Sequence, residues 1–186
     1  LGGSRPPDDR PANCVTTYGM TETGSGVVYD GVPLDGVEVD IATDGEIRLR
    51  APMLLRCYRD GATPFDDDGW FATGDLGEWR PGGTLHVAGR RRDLIISGGE
   101  NVWPEAVEAA LADHPGVVEV MVRGVADPEW GQLVEAVIVP TGNPPTLQSL
   151  RDHVKERHPS FMAPKRLTLV ESLPRTNLGK LRRSPS

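Results

Sequence analysis

The chain has 186 residues, long enough for one domain or two small ones, and 38% of them are hydrophobic. Its formal net charge of -7, from 20 Lys and Arg set among 27 Asp and Glu, argues against the concentrated basic field that nucleic-acid binding needs. No run of about 18 apolar residues exists to span a membrane, and Leu1 to Arg10 carries Pro and Asp where a signal peptide has an apolar stretch.

The two cysteines, Cys14 and Cys57, form neither a CxxC pair nor a metal-ligand spacing, and they fit a reducing, cytoplasmic setting. The sequence opens without Met in a polar Gly/Pro/Asp segment, as an excised fragment would. From Thr16 to about Gly89 short runs of period two predict half-buried antiparallel strands, including Val37 to Ile41, Glu46 to Arg50 and Thr84 to Val87. Asp44-Gly45 is a hairpin dipeptide, and Pro81-Gly82-Gly83 reads as a loop. Thr73-Gly74-Asp75 reads as a turn after Trp70-Phe71.

Beyond Asp93 the texture changes to strands interleaved with helices. Pro104 suits a first helical position and Glu105 the positive helix start, so a helix is predicted over about 104–113, stopped by His114-Pro115-Gly116. Strands are predicted at about 117–122 and 133–139. Thr146 is the expected cap of a helix whose Leu147, Leu150 and Val154 share a face until Pro159, and Arg166 to Val170 closes as a strand. The fold class is α+β, a small β-subdomain followed by a compact α+β domain. The boundary falls at about 89–93.

Four motifs stand in order along this frame: Tyr18-Gly19-Met20-Thr21-Glu22, Thr73-Gly74-Asp75-Leu76, Gly89-Arg90-Arg91-Arg92-Asp93 running into Ser97-Gly98-Gly99-Glu100-Asn101, and Pro174-Arg175-Thr176-Asn177-Leu178-Gly179-Lys180. Each is weak alone. Together, and in this order, they resemble the adenylate-forming superfamily of acyl-CoA synthetases, luciferases and peptide-synthetase adenylation domains. The resemblance runs from about Thr16 to Lys180 and implies two domains: 1–90 as the end of the large AMP-binding domain, and 91–186 as a small mobile C-terminal lid. It places a phosphate-binding loop upstream of Tyr18, outside this sequence, so the chain alone is expected to be inactive. Its missing N-terminal part becomes an expected partner.

The implied chemistry is ATP-dependent activation of a carboxylic acid as an acyl-adenylate, followed by transfer to a thiol. Bringing two anions together demands cations and oriented donors where charge develops. By the resemblance Thr21 and Glu22 meet phosphate and Mg2+, Tyr18 packs against adenine, Gly19 belongs to the nucleotide-binding set, and Asp75 binds the ribose. A carboxylate suits the last role because it can accept from two neighbouring hydroxyls at once. Taken alone, Thr21-Glu22 would simply open a helix or turn.

Arg90 would fork onto ribose or phosphate oxygens, and Arg92, give or take one residue, is the expected hinge, where the family more often has Asp or Lys. Ser97, Gly98 and Gly99 have nothing large enough to block a pantetheine arm, and Glu100 and Trp103 are candidate walls of that CoA passage. A plain turn is the other account of Gly98. Lys180 is the expected catalytic cation of adenylation. At 4 Å its attraction for a phosphate charge is only about 1 kcal/mol in bulk water, but about 4 at an effective dielectric near 20. Taken without the motif, Lys180, Arg182 and Arg183 would be a basic tail.

Asp93 to Pro104 looks like the acyl- and aryl-CoA ligases, including o-succinylbenzoate-CoA enzymes, so ATP, Mg2+ and CoA are the implied cofactors. The alternatives are an adenylation domain that loads a carrier protein and a non-catalytic nucleotide- or CoA-binding module. A homodimer is left open.

Overall fold

The computed structural model describes residues 13–175 and 181–183. The chain divides into two compact units between Arg92 and Asp93.

The N-terminal unit is built from two antiparallel meanders. Strands β1 (Thr17–Gly19), β2 (Gly26–Tyr29) and β3 (Val32–Pro33) form one; β4 (Glu38–Ile41), β5 (Glu46–Arg50), β6 (Phe71–Arg80) and β7 (Thr84–Arg90) form the other, in sequence order. Strand β5 shows why. Its period of two sends Ile47 and Leu49 into a core with Val27, Val28, Val37, Phe71 and Leu85. Arg48 and Arg50 are sent to the other face, where their guanidinium carbons lie 5.7 and 4.6 Å from the Trp70 ring centroid and the side chains pair with Asp40 and Glu38.

The structure corrects one local expectation here. Thr73-Gly74-Asp75 is not a turn; it lies inside β6, which runs unbroken for 10 residues. Gly74 reads as a turn signal because its φ is +73°, but that angle is used for a bulge within the ladder.

The C-terminal unit holds a five-stranded sheet. Strands β8 (Ile95–Ser97) and β9 (Glu100–Val102) make a short hairpin, helix α1 (Pro104–Leu111) follows, and β10 (Val117–Asp127) pairs with β11 (Gly131–Pro140). Helix α2 (Leu147–Lys155) then leads to β12 (Arg166–Leu169), which runs parallel to β11. Alternation along β11 serves two cores. Val134, Ala136 and Ile138 pack against α1 and α2 through Val107, Leu111, Leu150 and Val154. On the opposite face Val137 joins Met121 and Leu173, with Leu181 packed against them. Glu135 shares that face and is 3% exposed; Arg123 Nε (2.7 Å) and Thr168 Oγ1 (2.9 Å) donate to it, as a buried charge requires.

Pro104 takes the first position of α1, and the helix ends at Leu111, two residues short of the span that the His114-Pro115-Gly116 stop implies. Thr146 caps α2, its Oγ1 accepting from Ser149 N–H at 3.1 Å. The β10–β11 hairpin extends further at both inner ends than the spans 117–122 and 133–139, and β8 and β9 form strands that local alternation does not mark. None of the described helices is long and apolar enough to cross a membrane.

Candidate functional site

In the N-terminal unit the bulge in β6 shapes the site. Between the pairs Glu46–Leu76 and Arg48–Ala72, β5 advances two residues while β6 advances four, 46 to 48 against 72 to 76. Side chains absorb the mismatch: Thr73 Oγ1 donates to Ile47 O (2.7 Å), Asp75 N–H to Thr73 Oγ1 (3.1 Å) and Gly74 N–H to Glu46 Oε1 (2.9 Å). Asp75 lies in the bulge as a buried residue, 5% exposed.

Tyr18 and Arg90 are among the groups that meet the Asp75 carboxylate. The Tyr18 hydroxyl donates to Oδ2 at 2.9 Å, and Arg90 Nε lies 2.9 Å from Oδ1. Burial, reinforced by the Asp75 charge, pushes the Tyr18 phenol well above its ordinary pKa, so it remains a donor. An ionised carboxylate offers about four lone-pair sites, and a pair of vicinal hydroxyls is a partner it can recognise. Gly19 closes β1 against the following segment: a Cβ there would sit 2.1 Å from Ser25 O. The motifs nominated Tyr18, Asp75 and Arg90 from distant positions, and the fold brings them within hydrogen-bonding distance.

Thr21 and Glu22 lie on a 3-10 turn, Thr21–Thr23, between β1 and β2. Leu55 N–H donates to Glu22 O at 2.8 Å and fixes the backbone. Thr21 is exposed and Glu22 half-buried, with the Tyr58 hydroxyl 3.4 Å from Glu22 Oε1. Burial, and then the Glu22 charge, raise the Tyr58 pKa. Among the described residues no group of three or more His, Cys, Asp or Glu could hold a metal by itself. Magnesium commonly takes only one or two protein carboxylates together with substrate phosphates; a single half-buried Glu22 fits that donor set and would not fit an all-protein cage.

In the C-terminal unit Ser97-Gly98-Gly99-Glu100 turns the β8–β9 hairpin, with Ser97 paired to Glu100 and φ of +62° and +85° at the two glycines. Positive φ at both central residues is what a two-residue type I′ turn needs. Gly98 has a second constraint: a Cβ on it would lie 2.7 Å from Trp130 Cε3, and its N–H donates to Trp130 O at 2.9 Å. The indole over the turn therefore belongs to Trp130. Lys165 Nζ lies 4.3 Å from that ring centroid and 3.3 Å from Ser97 Oγ, and burial, then Arg151, lower its pKa.

Trp103 stands at the N-cap of α1 and is half-buried, while Glu100 is exposed. Arg92 lies on the 3-10 turn Arg91–Asp93. Lys180 lies outside the described residues. Sequence reasoning missed Trp130 and Lys165, whose approach to Ser97 follows from the pairing of Gly131 with Ser97 between β11 and β8. The Trp-Gly step at the start of β11 was the available signal.

The family of AMP-binding enzyme C-terminal domains matches residues 106–180. A probable 2-succinylbenzoate–CoA ligase of Mycobacterium tuberculosis (strain CDC 1551 / Oshkosh) is 45% identical over 176 residues, which cover 91% of this chain and 46% of that protein. Residues 106–180 thus carry the pattern of an AMP-binding enzyme C-terminal domain, and the chain is similar to the C-terminal portion of 2-succinylbenzoate–CoA ligases.

The similarity extends to other 2-succinylbenzoate–CoA ligases, such as that of Bacillus licheniformis, 38% identical over 91% of this chain and 40% of that protein. The o-succinylbenzoate CoA synthetase of Bacillus subtilis, solved in complex with its acyl-adenylate intermediate, superimposes with a TM-score of 0.82 at 36% identity, over 91% of this chain and 40% of that one. ATP-bound MatB from Rhodopseudomonas palustris gives 0.76 at 31% identity, over 90% and 38%. The chain spans less than half the length of these adenylate-forming relatives.

Proposed function

We propose that the whole protein is an ATP-dependent acyl- or aryl-CoA synthetase acting on 2-succinylbenzoate or a closely similar aromatic acid. The observation that carries this reading is the buried Asp75 carboxylate held between the Tyr18 hydroxyl and the Arg90 guanidinium. The similarity to 2-succinylbenzoate–CoA ligases supports the choice of acid.

In the first half-reaction an oxygen of the substrate carboxylate attacks the α-phosphorus of ATP, the bond to the β-phosphate oxygen breaks, and pyrophosphate leaves. Asp75 would orient the ribose, Tyr18 would fix the Asp75 carboxylate and flank the adenine, and Arg90 would lend positive charge at the ribose or phosphate. Lys180 would meet the negative charge that develops in the transition state, where a preorganised donor is most effective. Bound through Glu22 and the phosphates, magnesium would supply further charge offset. In the second half-reaction the thiol loses its proton to water, its sulfur attacks the acyl carbon, and AMP departs with the electron pair of the broken C–O bond.

On this proposal 91–186 is the mobile lid, Arg92 or a neighbour its hinge, and the Ser97-Gly98-Gly99 turn the passage for the pantetheine arm. The test is pyrophosphate exchange by the full-length protein with 2-succinylbenzoate, followed by transfer to free CoA. Exchange with this acid and thioester formation on CoA are expected, and no exchange from the 186-residue chain alone. Exchange only with unrelated acids would overturn the substrate assignment, and transfer only to a phosphopantetheinyl carrier would overturn the acceptor.

A further inference from the structure

The 3-10 turn that carries Glu22 is fixed along its backbone. Thr23, 3% exposed, accepts through Oγ1 from Met20 N–H at 2.9 Å and donates to Ser25 O at 2.6 Å. Gly24 N–H closes on Thr21 O at 3.1 Å, and Leu55 N–H donates to Glu22 O at 2.8 Å. That last donor comes from the segment 51–58, whose Leu54 and Leu55 pack against the core of Val27, Ile47 and Phe71. Backbone order of this kind does not reach the carboxylate, which sits at the end of a rotatable side chain with several staggered alternatives.

The same segment ends on Tyr58. This residue is 41% exposed, yet its hydroxyl is turned back to lie 3.4 Å from Glu22 Oε1, across 36 positions of sequence. A tight loop holds it there: Tyr58 N–H donates to Ala62 O (2.8 Å), Gly61 N–H to Tyr58 O (3.0 Å) and Ala62 N–H to Asp60 Oδ1 (3.0 Å). None of these bonds uses the hydroxyl, so the loop closes equally well around Phe. The approach to Glu22 is longer than the about 2.7–2.8 Å usual for O–H···O. Contacts at catalytic sites are often this long in unliganded proteins and tighten in the substrate complex.

We propose that Tyr58 is a positioning residue for Glu22: its hydroxyl donates to Oε1, fixes the rotation of the carboxylate, and leaves Oε2 to meet a magnesium ion that arrives with ATP. Magnesium tolerates little departure from octahedral geometry, so a ligand that swings is a poor one. Hydrogen bonds from outside the ligand set are what orient ligating carboxylates, and their loss typically costs about 10–100-fold in metal affinity. The inference rests on the reading of Glu22 as the magnesium carboxylate. It adds that Tyr58 aims that carboxylate without touching metal or nucleotide.

The experiment uses the full-length protein with Tyr58→Phe, Glu22→Gln and the double variant. Because oxygen ligands that suit magnesium also suit manganese, Mn2+ is titrated into each protein with α,β-methylene-ATP present, and the bound ion is read by electron paramagnetic resonance. Calorimetry gives the affinity for ATP in EDTA, and Tm is recorded. Tyr58→Phe is expected to weaken Mn2+ binding by about tenfold, while its ATP affinity in EDTA and its Tm match wild type. In the Glu22→Gln background the same change is expected to cost nothing further, since both substitutions then act on one interaction.

Weaker ATP binding in EDTA by the same factor would mean that Tyr58 serves the nucleotide or the fold, and would overturn the proposal. So would an equal loss of Mn2+ affinity with and without the Glu22 charge. Glu22→Gln separates the two ideas. Undiminished Mn2+ binding there removes the reading of Glu22, whereas weak binding in Glu22→Gln beside wild-type binding in Tyr58→Phe removes only the role of Tyr58.

Discussion

Arg90 faces Asp75 across the β6–β7 ladder, and its Nε lies 2.9 Å from Asp75 Oδ1. The pairing places a half-exposed guanidinium beside a carboxylate that is almost wholly buried, with side-chain exposures of 45% and 7%. Asp75→Asn removes the charge but keeps the shape. Hydrogen bonds to charged groups contribute about 1.5–3 kcal/mol each, so loss of one such bond to the ribose is expected to raise the KM for ATP by roughly ten- to a hundredfold. KM for the carboxylic acid should change much less. Steady-state exchange kinetics on the full-length protein check this, and a larger effect on the acid than on ATP would place Asp75 elsewhere in the reaction.

Lys180→Ala should divide the two half-reactions. Removing a donor aimed at developing charge typically costs on the order of a hundred- to a thousandfold in rate, and that loss is expected in adenylate formation alone. Thioester formation from supplied acyl-adenylate should survive. Stopped-flow measurement of each half-reaction reads the split directly.

Gly98→Val should do the reverse. A Cβ there would collide with Trp130 Cε3 at 2.7 Å, and the φ of +62° disfavours any branched residue. The hairpin between β8 and β9 must shift to admit it, and thioester formation is expected to slow by about tenfold or more, with exchange retained. Adding Trp130→Ala relieves the collision but not the backbone preference, so partial recovery is expected. Equal loss of exchange in Gly98→Val would mean that the glycine serves the fold.

One stability prediction concerns pH. Hydrogen bonds from Arg157 and then His153 hold the Asp113 carboxyl down from the usual 3.8 to about 2. A depressed carboxylate stabilises the folded state above the unfolded pKa, and the contribution vanishes as pH falls through the folded value. Wild type is therefore expected to exceed Asp113→Asn in stability at neutral pH, with the gap closing between about pH 4 and pH 2. Because Asp113 is 52% exposed, solvent screening keeps the gap small, and added salt should narrow it further. Urea titrations across that pH range test both trends.

Local pattern made much of the fold readable. Strand β5 has the bounds its alternation implies, Glu46–Arg50, because one face is core and the other is charged. Thr146 announces α2 through a cap that operates within three residues. What stayed hidden depends on partners far away in sequence. The path of β6 through Gly74 is decided by Ile47 O and the Glu46 carboxylate, neither of which a reading of Thr73-Gly74-Asp75 can see. The placement of Trp130 and Lys165 beside Ser97 arises from sheet pairing, with Lys165 and Ser97 separated by 68 positions. Motif order brought Tyr18, Asp75 and Arg90 together on paper; the hydrogen bond of the Tyr18 hydroxyl to Asp75 could be seen only in three dimensions.

The connectivity of β11 also dictates an order of assembly. Its antiparallel partner β10 is joined to it by the short turn between Asp127 and Gly131, so that ladder can zip from a local contact with little loop entropy. The parallel partner β12 must wait for α2 and the crossover to be laid down. Substitutions in β10 and β11 should accordingly slow refolding, while those in β12 should chiefly hasten unfolding, a contrast that φ-values would expose.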